Sequence, residues 1–306
     1  MSAVSAEARA TCERAIVLAG AARSGTTLLG RILHSCEPVE YVFEPPTLFA
    51  LFAKVDLLDA DVWRLIYETY LYEDFLVNAL AGRSINTNRH DDSSAWAAKS
   101  EKDVEARLSR SWGRAAIEPD LERAVVAYKI PGILPFLPRV QSLLGKGPRV
   151  LLCVREPAGV ITSLLAKAWF SDRALTDSNL VWLRRPGSRG HPLPFWLPES
   201  EEERWSTLDE VGRCALYYAI QHEAVHALTE VTAVSYERLT ETPAATAMAA
   251  IEALGLSPGA QTETLVNSVR PGRELPPLSH YKEIPSDLRT RAGEAYAAAL
   301  TLVDAP

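Results

Sequence analysis

Ala15-Ile16-Val17-Leu18-Ala19-Gly20-Ala21-Ala22-Arg23-Ser24-Gly25-Thr26-Thr27 is the stretch that decides the fold. Its first five residues are apolar and rich in β-formers, the pattern of a short buried strand. Gly20 and Gly25 punctuate the turn that follows, and Leu28, Leu29, Ile32 and Leu33 then recur with helical period. A strand that passes through a glycine-punctuated turn into a helix is the setting in which a chain grips phosphate. Backbone N–H groups converge there, and the positive end of the helix dipole favours an anion. Arg23 adds a cation inside the turn.

Outward from this stretch, β-rich apolar runs recur at Val39–Phe43, Ala124–Tyr128, Val150–Val154 and Val231–Ser235. Helical patterns lie between them, at Pro157–Trp169 and Pro243–Leu254. The second has Pro in its first turn and Gly255 just past its end, the expected start and stop signals. Short buried strands alternating with helices predict an α/β fold of three layers, a central, mainly parallel sheet with helices on both faces. We expect a single domain over residues 1–306. Two stretches depart from the alternation: a largely helical insertion at about 48–122, and an irregular Trp- and Pro-rich one at about 170–208, where Trp169, Trp182, Trp196 and Trp205 lie in or beside it. Those tryptophans have two readings, an acceptor platform or a satellite core.

Composition narrows the function. The chain has 306 residues, 47% hydrophobic and 23% charged, ordinary for a globular enzyme. A formal net charge of −7 argues against general nucleic-acid binding, so a polyanionic ligand needs a local basic patch. Cys12, Cys36, Cys153 and Cys214 lack disulfide or metal spacing. No apolar run is long enough for a bilayer and the N-terminus has no signal-peptide pattern, so the expected compartment is the cytoplasm, without a membrane span.

The spacing of Gly20 to Thr27 is that of a Walker A loop, except that Thr26 holds the lysine position. A P-loop kinase or ATPase needs that lysine for the β- and γ-phosphates. A second block, Val150-Leu-Leu-Cys-Val-Arg155-Glu-Pro157, ends a strand and starts a helix that carries Ser163. Arg offers a bidentate fork for a phosphate and Ser a hydroxyl.

Taken together, these blocks resemble the sulfotransferases that use 3′-phosphoadenosine-5′-phosphosulfate (PAPS), whose loop reads roughly [KR]-S-G-T-T and whose second motif is strand-R-x-P-x5-S. The resemblance runs from about Ala15 to about Arg273. It implies a P-loop NTPase-like fold, PAPS as co-substrate, no metal, and a hydroxyl-bearing small molecule or glycan as partner. By the same resemblance Arg23, Ser24, Gly25, Thr26 and Thr27 hold the 5′-phosphosulfate, and Arg155 and Ser163 the 3′-phosphate. Tyr128-Lys129-Ile-Pro131 is similar to the family's third-strand lysine, which makes Lys129 a catalytic residue. Val234-Ser-Tyr236-Glu-Arg-Leu239 is similar to a segment whose tyrosine lies near the nucleotide, although Tyr236 also reads as a packing residue. Arg270-Pro-Gly-Arg273 falls where the family folds a basic loop over the 3′-phosphate.

The chain departs from the aryl and steroid branch, with Leu28 where adenine stacks on an aromatic ring and Pro131 where that branch has its histidine. Val42-Phe-Glu44-Pro45 is closer to the carbohydrate and tyrosyl-protein branches, which place a glutamate after the second strand, so Glu44 is the expected general base. A rival motif, His222-Glu223-Ala-Val-His226, spells the HExxH of zinc metallopeptidases on an expected helix. That reading leaves both phosphate motifs unexplained. A nucleotide-binding protein without catalysis stays open at this point.

Overall fold

Each strand of the sheet is dominated by apolar residues, and such strands are stable only when both faces are covered. In the computed structural model, which describes residues 4–91, 93–110, 113–176, 184–187, 192–272, 278 and 281–303, both faces are covered. The strands are β1 (Ile16–Ala19), β2 (Val39–Phe43), β3 (Val125–Lys129), β4 (Arg149–Val154), a small antiparallel pair β5 (Arg184–Pro186) and β6 (Pro192–Pro194), and β7 (Val231–Ser235). The main sheet has the order β2-β3-β1-β4-β7, and every pairing in it is parallel.

Alternation along the strands assigns the two faces. Ile16, Leu18, Ala127 and Leu151 pack on one side with Leu29, Ile32 and Leu33 of the Thr26–Ser35 helix and with the Pro243–Ala253 helix. Val17, Ala19, Val126 and Leu152 pack on the other, against helices Pro157–Leu165, Glu210–Glu223 and Ser286–Val303. Each buried Leu, Ile or Val contributes roughly 1.5–3 kcal/mol, so the sheet is held firmly between its two helical layers. The fold is three-layered α/β.

Between β2 and β3 the chain folds into helices, among them Pro46–Phe52, Ala60–Thr69 and Glu101–Leu108. They pin the start of β2. Lys99, nearly buried, donates from Nζ to the carbonyl oxygens of Cys36 and Val39, each at 2.7 Å. Arg107 forks onto Glu40 with two bonds of 2.8 Å. A buried bidentate pair of this kind fixes direction as well as charge, and here it orients the strand that delivers Glu44.

Boundaries differ from the sequence reading in small ways with physical causes. The helix expected over Pro157–Trp169 stops at Leu165, and Ala168 takes a left-handed φ of 51°. That turn sends Phe170 inward, against Trp196, Trp205 and Tyr217. Among the described residues no helix is long and apolar enough to cross a membrane.

Candidate active site

Five parallel strands end on one edge, and each delivers a polar or aromatic side chain there. In order across the edge these are Glu44 after β2, Lys129 at the end of β3, the Gly20–Thr27 loop after β1, Arg155 after β4 and Tyr236 after β7. Open α/β sheets bind ligands at this edge, where crossovers leave a crevice.

The loop is built by exclusion of Cβ atoms. Gly25 has φ 98°, and a Cβ there would come within 2.4 Å of the Tyr236 ring. Only glycine lets Tyr236 lie against the loop. The helix starts at Thr26, so the N–H groups of its first turn have no partner within the helix and face the edge. Arg23 is one of four non-glycine residues with positive φ among the described residues, and Glu44 is another. Such outliers cluster where function needs them, and half of these stand on one edge.

Ser24 behaves differently from the expectation. It is buried, and both its N–H and its Oγ donate to the Ala21 carbonyl oxygen, at 3.1 and 2.6 Å. Cys153 Sγ donates to the Ser24 carbonyl oxygen from below. Ser24 therefore shapes the loop, and its hydroxyl is spent inside it. Thr26 is buried as well, whereas Thr27 Oγ1 accepts from Lys129 Nζ at 3.2 Å.

On the β4 side, Arg155 Nη1 donates to the Arg23 carbonyl oxygen at 2.7 Å, and its guanidinium lies 4.2 Å from the Tyr236 ring centroid. A Cβ at position 159 would meet Arg155 Nε at 2.7 Å, so Gly159 makes room for the arginine over the helix start. Ser163 Oγ accepts from Arg23 Nε at 3.1 Å. Arg23, Arg155, Ser163 and Tyr236, all expected at the site, thus form one cluster. Arg273 lies outside the described residues, as does Trp182.

On the β2–β3 side, Lys129 Nζ donates to Glu44 Oε1 at 2.7 Å, and the Glu44 N–H donates to the Lys129 carbonyl oxygen at 2.9 Å. Lys129 keeps only 7% side-chain exposure and Glu44 keeps 33%, so the carboxylate is the member of the pair that a substrate can reach. The ammonium also sits 4.4 Å from the Phe43 ring. Pro45 caps and Pro46 opens the next helix, which fixes the chain direction behind Glu44.

No protein-family model matches the chain, and no curated protein matches it. Among solved structures it is similar to the sulfotransferase domain of the Synechococcus PCC 7002 olefin synthase, with 14% identity over 95% of each chain and a TM-score of 0.44. It is similar also to the sulfotransferase domain from the curacin biosynthetic pathway, with 13% identity over 92% of this chain and 96% of that one and a TM-score of 0.44. A third likeness is sulfotransferase STF9 from Mycobacterium avium, with 11% identity over 96% of this chain and 78% of that one and a TM-score of 0.42. All three are sulfotransferases. At such identities and scores the likeness does not carry an activity over to this chain, whose chemistry is read from its own residues.

The HExxH stretch does not assemble. The helix ends at Glu223, and His226 falls in a separate 3-10 turn, exposed to solvent. His222 is buried, shares a 3.0 Å hydrogen bond with the Tyr218 carbonyl oxygen and stacks on the Tyr218 ring. Burial pushes its imidazole down to about 4. Glu223 is committed to Arg291. Among the described residues no group of three or more His, Cys, Asp or Glu is placed to hold a metal ion.

The tryptophans divide. Trp196 and Trp205 are buried in the aromatic cluster and belong to the core. Trp169 is exposed and its ring centroid lies 5.8 Å from the Arg23 guanidinium.

Sequence reasoning missed three residues. Tyr217 Oη accepts the Ala22 N–H at 2.7 Å, and Tyr218 Oη donates to the Arg155 carbonyl oxygen at 2.8 Å. Glu237 accepts the Glu156 N–H at 3.0 Å and the Ser235 hydroxyl at 2.9 Å, tying the ends of β4 and β7 together. Beside it the Glu156 carboxyl, which caps the Arg155 helix through Gly159 N–H, is pushed up by burial, with Glu237 adding to the rise. A Tyr-Tyr pair in an apolar helix was the available signal, since buried tyrosine hydroxyls need polar partners.

Proposed function

We propose that the chain is a sulfotransferase that moves a sulfuryl group from PAPS to a hydroxyl of a carbohydrate, lipid or natural-product acceptor. The observation that supports this best is the division of the edge into two halves around one loop. Arg23, Arg155 and Ser163 form a phosphate-reading cluster on one side, and the Lys129–Glu44 pair forms an acid–base unit on the other.

In this reading the first-turn N–H groups, Arg23 and Thr27 hold the 5′-phosphosulfate, and Arg155 with Ser163 takes the 3′-phosphate. An acceptor oxygen attacks sulfur in line. The new O–S bond forms as the bond from sulfur to the bridging phosphate oxygen breaks, and the electron pair leaves with 3′-phosphoadenosine-5′-phosphate (PAP). Glu44 takes the acceptor proton, as a base within hydrogen-bond reach must. Lys129 turns from Glu44 to the leaving oxygen and meets charge that grows only in the transition state. A glutamate in this role is closer to the carbohydrate and tyrosyl-protein branches. The four cysteines are free, in keeping with a reducing, cytoplasmic setting.

Two measurements test the proposal. PAP should raise the melting temperature well above the shift given by ATP or GTP, because Arg155 and Ser163 read a 3′-phosphate that those nucleotides lack. Incubation with PAPS and pooled hydroxyl acceptors should yield a product heavier by one sulfuryl group, with turnover that survives EDTA. Equal stabilisation by ATP, or activity that chelation abolishes and zinc restores, would overturn it.

A further inference from the structure

Tyr217 is an unusual support for a phosphate loop. It comes from the Glu210–Glu223 helix, is only 2% exposed, and meets the loop through its hydroxyl. The Ala22 N–H that it receives is nearly buried, so without Tyr217 it would lose its partner in a site poorly open to water. The tyrosine ring is itself clamped, 4.8 Å from Trp196 and 5.2 Å from Phe170 between centroids. Trp196 in turn packs edge-on against Trp205 and lies where a Cβ on Gly132 would meet it at 2.9 Å. Phe170 and Trp196 therefore pack on the residue whose hydroxyl meets the loop.

We infer that Tyr217 is a positioning residue of the donor site, whose hydroxyl holds the phosphate loop in its binding shape through the Ala22 amide. The inference rests on the donor reading above and deepens it. Burial drives the phenol well up from its ordinary value, so the oxygen stays protonated. It accepts from Ala22, and among the described residues no acceptor for its own proton lies within hydrogen-bond distance. The loop amide is thus fixed by an uncharged group whose ring has nowhere to move. Loss of the hydroxyl leaves a buried N–H that the free loop can satisfy only by shifting, and donor binding must then reverse that shift.

The test compares wild type with Tyr217→Phe, which keeps the ring in its cluster, and with Trp205→Phe, which disturbs the same cluster without touching the loop bond. In Tyr217→Phe, amide exchange at Ala22 should accelerate about tenfold or more while exchange in β4 stays unchanged. The Kd of PAP should weaken about tenfold, the loss expected for one buried donor left unpaired. Trp205→Phe should lower the melting temperature and leave the Kd of PAP within about twofold. Unchanged Ala22 exchange would refute the bond. Faster Ala22 exchange with an unaltered Kd would refute the positioning role, and equal losses in both variants would reduce it to packing. Failure of wild type to bind PAP sinks the donor reading instead, and the exchange measurement still decides whether Tyr217 holds the loop.

Discussion

The two halves of the edge are made in opposite ways. The loop half is local. Gly20 to Thr27 is continuous in sequence, its anion-binding groups are backbone amides, and its glycines work by what they lack. The Lys129–Glu44 half joins residues 85 positions apart, brought together only because β2 and β3 are paired in register at Phe43 and Lys129. In the first half the amides themselves cannot be mutated away. The second depends on two side chains and on the sheet between them.

Substitutions should expose that contrast. The largest effect is expected from Glu44→Gln, which keeps an acceptor for the Lys129 ammonium and removes the basicity. Turnover with PAPS should fall by a factor on the order of a hundred to ten thousand, while PAP binding by calorimetry stays normal. Near wild-type turnover would return Glu44 to a solvent-facing strand end. Next, Lys129→Met keeps the stem beside Phe43 and deletes the charge. It should cost about a hundredfold in kcat with little change in PAPS affinity, the signature of an interaction made in the transition state. A rise in KM at constant kcat would place Lys129 in ground-state binding instead. In the loop half, Arg155→Ala should weaken PAP by about tenfold to a hundredfold and leave ATP binding nearly unmoved. Equal losses for both nucleotides would show that Arg155 merely braces the Arg23 carbonyl.

The last expectation concerns pH and the stability of the fold. His222 lies four residues from Tyr218 and five from Tyr217, on the helix that supports the loop half. Its pKa falls from 6.5 to about 4 on folding, because burial opposes the charged ring. Below 6.5 the unfolded chain therefore binds a proton that the folded chain refuses. Stability contributed above 6.5 is lost as pH falls toward 4, by roughly 3 kcal/mol in total at about 1.4 kcal/mol per pH unit. Melting curves between pH 7 and pH 4 should decline more steeply for wild type than for His222→Phe. Parallel curves would mean that other groups set the acid limit.

What the sequence disclosed follows the same division. The strands Val39–Phe43 and Val231–Ser235 appear in the structure with the expected ends, because apolar runs with clear turn signals leave little choice. Arg23, Arg155 and Ser163 were named from motifs and meet in space. Lys129 and Glu44 were named separately, one from the end of a strand and one from a Phe-Glu-Pro turn. No sequence pattern stated that they touch, because pairing of β2 with β3 is a tertiary fact. Tyr217, Tyr218 and Glu237 escaped for the same reason, since each acts on a partner dozens of residues or more away. Trp196 and Trp205 were legible only as aromatic. Whether such a ring faces a ligand or a core depends on what Phe170 does next to it.

The ammonium of Lys129 has two partners, Thr27 in the loop and Glu44 on the far side, and a single positive charge to share. On the sulfuryl-transfer reading this amounts to a timetable. While the loop is empty the base is engaged, and an acceptor that arrives early finds its proton acceptor already spoken for. A donor in the loop draws the ammonium toward its own negative charge and sets the carboxylate free. The kinetic order is thereby written into one side chain, with donor first and acceptor second, and a double-reciprocal plot against PAP as inhibitor should read it out as compulsory.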